Sequence, residues 1–230
     1  MDKLDYKNTL KDICAASGFH KKGNAFFRII GDGVLQVIKS RYERKLGADI
    51  ISVGLFSMYG YLQPQWLTAT GCLPRYDIAS CFHQKHLPLC FPIPLQIQLD
   101  MLRSRVLPWL DSLDTQKKLV SAITKLDPRW NDSLKIGPYL ACGEWNHAKK
   151  VLREILAGTD FARLGPQEFY EDASGMLFLK KEQDAHHPQA LLEMISREDP
   201  AEIDAYLKEN YARNLACAKF CIKPTPPCGQ

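Results

Sequence analysis

The hydrophobic period of this chain changes partway along, and that change limits the folds open to it. From Phe26 to Phe56 the apolar residues come in short β-branched and aromatic runs. From Leu95 onward they recur every three or four residues, at Leu95, Leu99, Leu102, Val106, Leu110 and Leu113. The first pattern suits pleated strands; the second puts one apolar stripe on a long helix. Phe26-Phe27-Arg28-Ile29-Ile30 and Val34-Leu35-Gln36-Val37-Ile38-Lys39 flank Gly31-Asp32-Gly33. Glycine permits the positive φ of a tight turn, so these residues read as a β-hairpin. A third strand is expected over Ile50–Phe56. Short connections between successive strands favour an antiparallel meander. Strands followed by helices, without alternation, define the α+β class. We therefore expect an antiparallel sheet of three to four strands packed with helices, then a mainly helical C-terminal half. The corresponding division is an α+β domain over 1–130 and a helical region over 131–230.

Local signals fill in the rest. Leu4, Leu10, Ile13 and Cys14 predict a helix over 4–17, ended by Gly18. Residues 60–94 hold five prolines and three cysteines. They are expected to be irregular, with a short fourth strand over Cys72–Arg75 and a short helix over Ile78–His83. Pro108 is expected to kink the long helix, because proline lacks an N–H and clashes with the preceding turn. Thr115 is the expected cap of a helix over 116–126. Residues 138–156 read as two antiparallel helices around a turn at Gly143, and resemble one tetratricopeptide-type hairpin. Residues 166–188 read as a long connection with one strand, Met176–Lys180. Asp199, Pro200 and Glu202 fit the N-cap, N1 and N3 positions of a last helix. Its stripe is Ile203, Tyr206, Leu207 and Tyr211.

Composition narrows the class. Apolar residues make up 46% and charged residues 24%, a globular balance that supports a packed core. Residues 1–115 hold 14 Lys and Arg against 10 Asp and Glu, while residues 116–230 hold 16 of each. Dedicated nucleic-acid binders concentrate positive charge more strongly, so nucleic acid is not the expected partner. The start, Met1-Asp2-Lys3-Leu4-Asp5, lacks the apolar stretch of a secretory signal. The longest uncharged run, Ile50 to Pro74, is broken by Gly54, Gly60 and Pro64, so no membrane segment is expected. A cytoplasmic location follows as the expectation, with the 8 cysteines as reduced thiols.

One stretch carries a family resemblance. Gly18-Phe19-His20-Lys21-Lys22-Gly23-Asn24-Ala25-Phe26-Phe27-Arg28 leads into Gly31-Asp32-Gly33-Val34-Leu35-Gln36-Val37-Ile38. A Gly-Phe pair, a basic pair, an aromatic-arginine strand and a glutamine-bearing strand resemble the opening of the domain of unknown function 4304 family. The likeness spans about residues 5–130 and is specific over 18–38. Residues 49–56 depart from the family's third strand, where a polar residue is expected near Val53–Gly54. The resemblance implies a small α+β domain of bacterial type. Such domains also occur as immunity (antitoxin) proteins beside secreted toxins. It implies no catalytic residues.

Four groups of residues bear weighing. Cys81, His83, His86 and Cys90, with Cys72 upstream, offer thiolate and imidazole ligands of the kind zinc takes. Their spacing matches no common zinc module and Pro88 stiffens the loop, so the expectation is packed cysteines and no metal or cofactor. Lys21, Lys22, Arg28, Arg41 and Arg44 form a basic run around the hairpin. It could meet phosphate or an acidic partner, or it could simply guard a sheet edge. Glu168, Phe169, Tyr170, Glu171, Asp172, Glu182 and Asp184 mix acids and aromatics in one connection. Such a surface suits a basic protein, since charge speeds encounter and aromatics anchor; plain solvation is the alternative. Cys14 and His20 could form a thiolate pair.

The sequence contains no GxGxxG, GxxxxGK[ST], HExxH or GxSxG motif. We expect a non-catalytic protein that binds one specific protein partner, for example a basic toxin such as a nuclease. The alternatives are an enzyme with an unfamiliar site, or a weak nucleic-acid module.

Overall fold

A computed structural model describes residues 3–44, 47–60, 76–77, 93–126, 135–158, 169–171, 177–179 and 188–218. The fold is α+β, with an antiparallel sheet followed by a mostly helical C-terminal half. Two compact units emerge, and they interleave in sequence. The first draws on Met1–Leu55 and Ala69–Asp114, the second on Phe56–Thr68 and Thr115–Phe220.

The first unit opens with α1, Lys3–Ala16. Tyr6, Leu10, Ile13 and Cys14 recur at helical spacing and are all buried. Gly18 then takes a φ of 77°, open to glycine without strain, and ends the helix. Strands β1 (His20–Lys22), β2 (Ala25–Ile30), β3 (Val34–Glu43), β4 (Ala48–Ser57) and β5 (Tyr76–Asp77) follow, and their order in the sheet is their order in the chain. Pairing of Phe26 with Ile38 and of Arg28 with Gln36 fixes the central register. Every residue from Val34 to Lys39 is buried, so both faces of β3 are covered.

The turn between β2 and β3 is tightly held. Gly31 has a φ of 47°, and a Cβ built there would lie 1.9 Å from the Asp114 carbonyl oxygen. That carbonyl accepts the Asp32 N–H at 2.8 Å. Glycine is required at position 31 by close backbone approach as well as by φ.

The long stripe forms α2 (Leu95–Met101), a wider π turn (Leu102–Val106) and α3 (Leu107–Asp111). Leu99, Leu102, Val106 and Leu110 are fully buried along it. This π turn lies just before Pro108. Proline at 108 denies a partner to the Ser104 carbonyl and crowds it, and widening the helix there absorbs the conflict. Gln98 of α2 is buried and acts on the sheet. Its Oε1 accepts the Ile51 N–H at 2.9 Å, and its Nε2 donates to the carbonyls of Asp49 and Ile93, both at 3.0 Å. It thereby satisfies β4 backbone groups beside the stretch where Ser52 and Val53 pair with β5.

The second unit is helical: α4 (Gln116–Leu126), α5 (Ile136–Ala141), α6 (Trp145–Gly158), α7 (Pro188–Ser196) and α8 (Pro200–Ala218), with one two-stranded ribbon, β6 (Phe169–Glu171) and β7 (Leu177–Leu179). Leu140, Ala148, Leu152, Leu191, Ile195, Ile203 and Leu207 share one core. Gly143, with a φ of 73°, reverses the chain between α5 and α6, as expected. Thr115 Oγ1 accepts the Lys118 N–H at 3.3 Å, and Asp199 Oδ1 accepts the Ala201 N–H at 2.9 Å, so both expected caps form. The connection over 166–188 holds two paired strands where one was expected. The expected strand over 72–75 and helix over 78–83 lie outside the described residues.

Candidate functional site

The first unit carries a concavity of about 420 Å³ where the sheet changes width. Its shape follows from the strand lengths. Lys22 pairs with Ala25, so β1 and β2 turn back on themselves at Gly23-Asn24. Gly23 takes a φ of 59°, which such a two-residue turn demands. The pairing of β2 with β3 reaches Ala25 opposite Lys39, and β3 continues to Glu43. The notch left beyond the hairpin tip is the concavity.

Four segments supply its walls. Lys7 and Leu10 come from α1, and Lys21 and Asn24 from the β1–β2 hairpin. Ser40, Arg41 and Tyr42 come from the β3 extension, and Asp49 from the start of β4. Lys7 and Lys21 are exposed and Arg41 is half-buried. Phe26 and Leu10 are buried and give the site an apolar floor. Tyr42 is the opposite case, an aromatic residue 55% exposed at the rim.

Beneath the site, Tyr6 is fully buried and its hydroxyl lies 2.8 Å from Ser40 Oγ. Burial pushes the Tyr6 phenol up to about 12; the Ser40 hydrogen bond opposes this and the nearby Asp49 charge adds to it. Tyr6 is therefore a neutral hydrogen-bonding partner that fixes Ser40.

The basic run divides on folding. Lys21 and Arg41 reach the concavity, joined by Lys7 from the opening helix. Lys22 is half-buried on the same strand as Lys21, and Arg44 is exposed beyond β3. Arg28 belongs to a different structure and leaves the surface run. It is buried, with its guanidinium 4.3 Å from the Phe19 ring centre. It donates to Gln36 Oε1 at 2.8 Å, to the Ser17 carbonyl at 2.7 Å and to Asp111 Oδ1 at 2.6 Å. Gln36 Nε2 in turn donates to the Leu110 carbonyl at 2.6 Å. Arg28 and Gln36, two residues that carry the family resemblance, thus tie the hairpin to α1 and α3. They build the fold and present no reactive group.

Cys14 is fully buried, and burial raises its thiol to about 12, against a smaller lowering by Arg28. It stays protonated at neutral pH, so it makes no thiolate pair with the exposed His20 of β1. Of the acidic and aromatic group, Phe169, Tyr170 and Glu171 form β6, paired in register with Leu179, Phe178 and Leu177. Glu168, Asp172, Glu182 and Asp184 lie outside the described residues, as do Cys72, Cys81, His83, His86 and Cys90. Among the described residues no three His, Cys, Asp or Glu side chains are grouped to hold a metal. Among them, too, no helix is long and apolar enough to cross a membrane.

Of the notch, Lys21 and Arg41 alone stood out in the sequence, as members of the basic run. Lys7 stands far from Ser40, Tyr42 and Asp49 in sequence, and these residues meet through strand register and the packing of α1. No protein-family model, curated protein or solved structure matches the chain.

Proposed function

We propose that this is a non-catalytic binding protein that docks an acidic segment of one protein partner in the notch of its first unit. The observation that carries the reading is the convergence of Lys7, Lys21 and Arg41 from three segments on one concavity. Cations gathered over an apolar floor favour an acidic ligand by charge and hold it by contact. The test is affinity capture from native cytosol at moderate salt, with the wild type beside a Lys7→Glu/Lys21→Glu variant. A stoichiometric partner lost by the variant supports the reading. A partner held equally by both ends it.

A second reading is the immunity protein, which would plug a basic toxin such as a nuclease with the acidic stretch. It is favoured by the β6–β7 pairing, which sets Phe169–Glu171 on an ordered ribbon. A Glu168→Lys/Glu171→Lys/Asp172→Lys variant separates the two. Loss of a basic partner there, with the Lys7/Lys21 variant still bound, would select the immunity reading. The resemblance to the domain of unknown function 4304 family is compatible with either.

A further inference from the structure

We propose that the notch takes a phosphate monoester carried on an apolar or aromatic stem. This deepens the acidic-partner reading, on whose site it rests, by naming the acidic group. The first argument is charge. Lys7, Lys21 and Arg41 contribute three positive charges and Asp49 one negative, a formal balance of +2 among the lining groups. A carboxylate would leave half of that balance unmet. A phosphate monoester carries about −1.5 to −2 at neutral pH and matches it.

The second argument is hydrogen bonding. Phosphate offers three strong acceptor oxygens. The lysine ammonium groups, the Arg41 guanidinium and the Asn24 amide are all donors, drawn from three segments around the notch: α1, the β1–β2 hairpin and β3. The third argument is the apolar part. Leu10 and Phe26 floor the concavity, and the exposed Tyr42 ring stands at its rim. An inorganic ion would use neither. A ring or short alkyl stem would cover the floor and pack against Tyr42. The volume of about 420 Å³ holds a group of that size.

The same chemistry has two sources, a free small phosphate ester or a phosphorylated aromatic side chain of a protein. The experiment uses the whole protein, titrated by calorimetry with phenyl phosphate, benzoate and inorganic phosphate. Phenyl phosphate is expected to bind at least about tenfold more tightly than benzoate or inorganic phosphate, a difference of about 1.4 kcal/mol. Lys21→Ala and Tyr42→Ala are each expected to weaken phenyl phosphate several-fold. Both residues are exposed, so circular dichroism should show unchanged folding. Equal affinity for phenyl phosphate and benzoate overturns the proposal, as does binding that neither substitution affects.

A phosphotyrosine peptide adds the source. Binding well above that of phenyl phosphate assigns the site to a phosphorylated partner; equal binding assigns it to a small molecule. Capture of a partner that depends on Lys7 and Lys21, without phenyl phosphate binding, overturns the phosphate and keeps the acidic segment. Phenyl phosphate binding without such capture overturns the protein partner and keeps the phosphate.

Discussion

The two units hold themselves together by different means. The sheet unit places a charged residue at its centre: Arg28 gathers Ser17 and Phe19, Gln36, and Asp111 from three separate stretches of chain. The helical unit rests mainly on an apolar core shared by α5, α6, α7 and α8, with one neutral polar tie, the buried Asn214 amide, which donates to the Met58 and Gly60 carbonyls at 2.9 and 2.7 Å. Its ion pairs lie at the surface or reach it, as where Lys149 Nζ meets the exposed Glu198 Oε1 at 2.6 Å. A helix satisfies its own backbone and needs neighbours only for its apolar stripe. Strands and loops brought together from distant positions leave polar groups to be matched across long sequence separations. A multidentate side chain does that matching in one place.

Alkaline pH should give the largest contrast. Tyr6 and Cys14 both belong to the first unit, and both have folded-state values near 12, raised from about 10 and 9. The unfolded chain therefore loses these protons first as pH rises. Their stabilisation is complete below about pH 9 and declines through about pH 12. Each pH unit by which one ionisation is delayed corresponds to about 1.4 kcal/mol. Amide hydrogen exchange at pH 7 and pH 10.5, corrected for intrinsic rates, should show protection falling in β2 and β3 more than in α6. Equal loss in both would break the comparison.

Next is Arg28→Met. It leaves Gln36 Oε1 and the Ser17 carbonyl without their charged donor, and is expected to cost about 3 kcal/mol in urea unfolding. A cost below about 1 kcal/mol would show that packing alone holds the hairpin. Leu152→Ala, in the fully buried centre of α6, is the matching test of the helical unit. It should cost about 3 kcal/mol through a cavity, with the loss of exchange protection greatest in α5–α8. The smallest effect is expected for Asp199→Ala, which removes the cap of α8. A loss of about 1 kcal/mol, confined in exchange to the first turns of α8, would agree with a local role.

The fold was legible where local chemistry and final packing agree. Gly31-Asp32-Gly33 demanded a turn, Asp199-Pro200 demanded a helix start, and the Leu99–Leu110 stripe demanded a buried helix face. Strand β1 escaped because His20-Lys21-Lys22 has none of the β-branched residues that mark strands. It pairs because Gly23-Asn24 returns the chain onto it. Arg28 read as part of a basic run because an arginine's neighbours in sequence do not reveal its burial. The available clue was its register opposite Gln36, two polar residues facing each other inside a hydrophobic hairpin. The notch was half visible, in Lys21 and Arg41. Lys7 and Asp49 could not be joined to them without knowing how α1 and β4 pack. The acidic stretch told of charge but not of the strand pairing of Phe169–Glu171 with Leu177–Leu179.

Gln98 has a consequence for how the molecule behaves among its own copies. An open strand margin invites another chain to continue the ladder, and β4 would offer such a margin at Asp49 and Ile51. One amide side chain occupies those hydrogen bonds from within. Gln98→Leu would keep most of the packing while releasing both groups. Its signature should then appear as concentration-dependent self-association in light scattering, more than as a lower melting temperature. In that sense the glutamine acts as a stopper against polymerisation, built from the same atoms that seat α2.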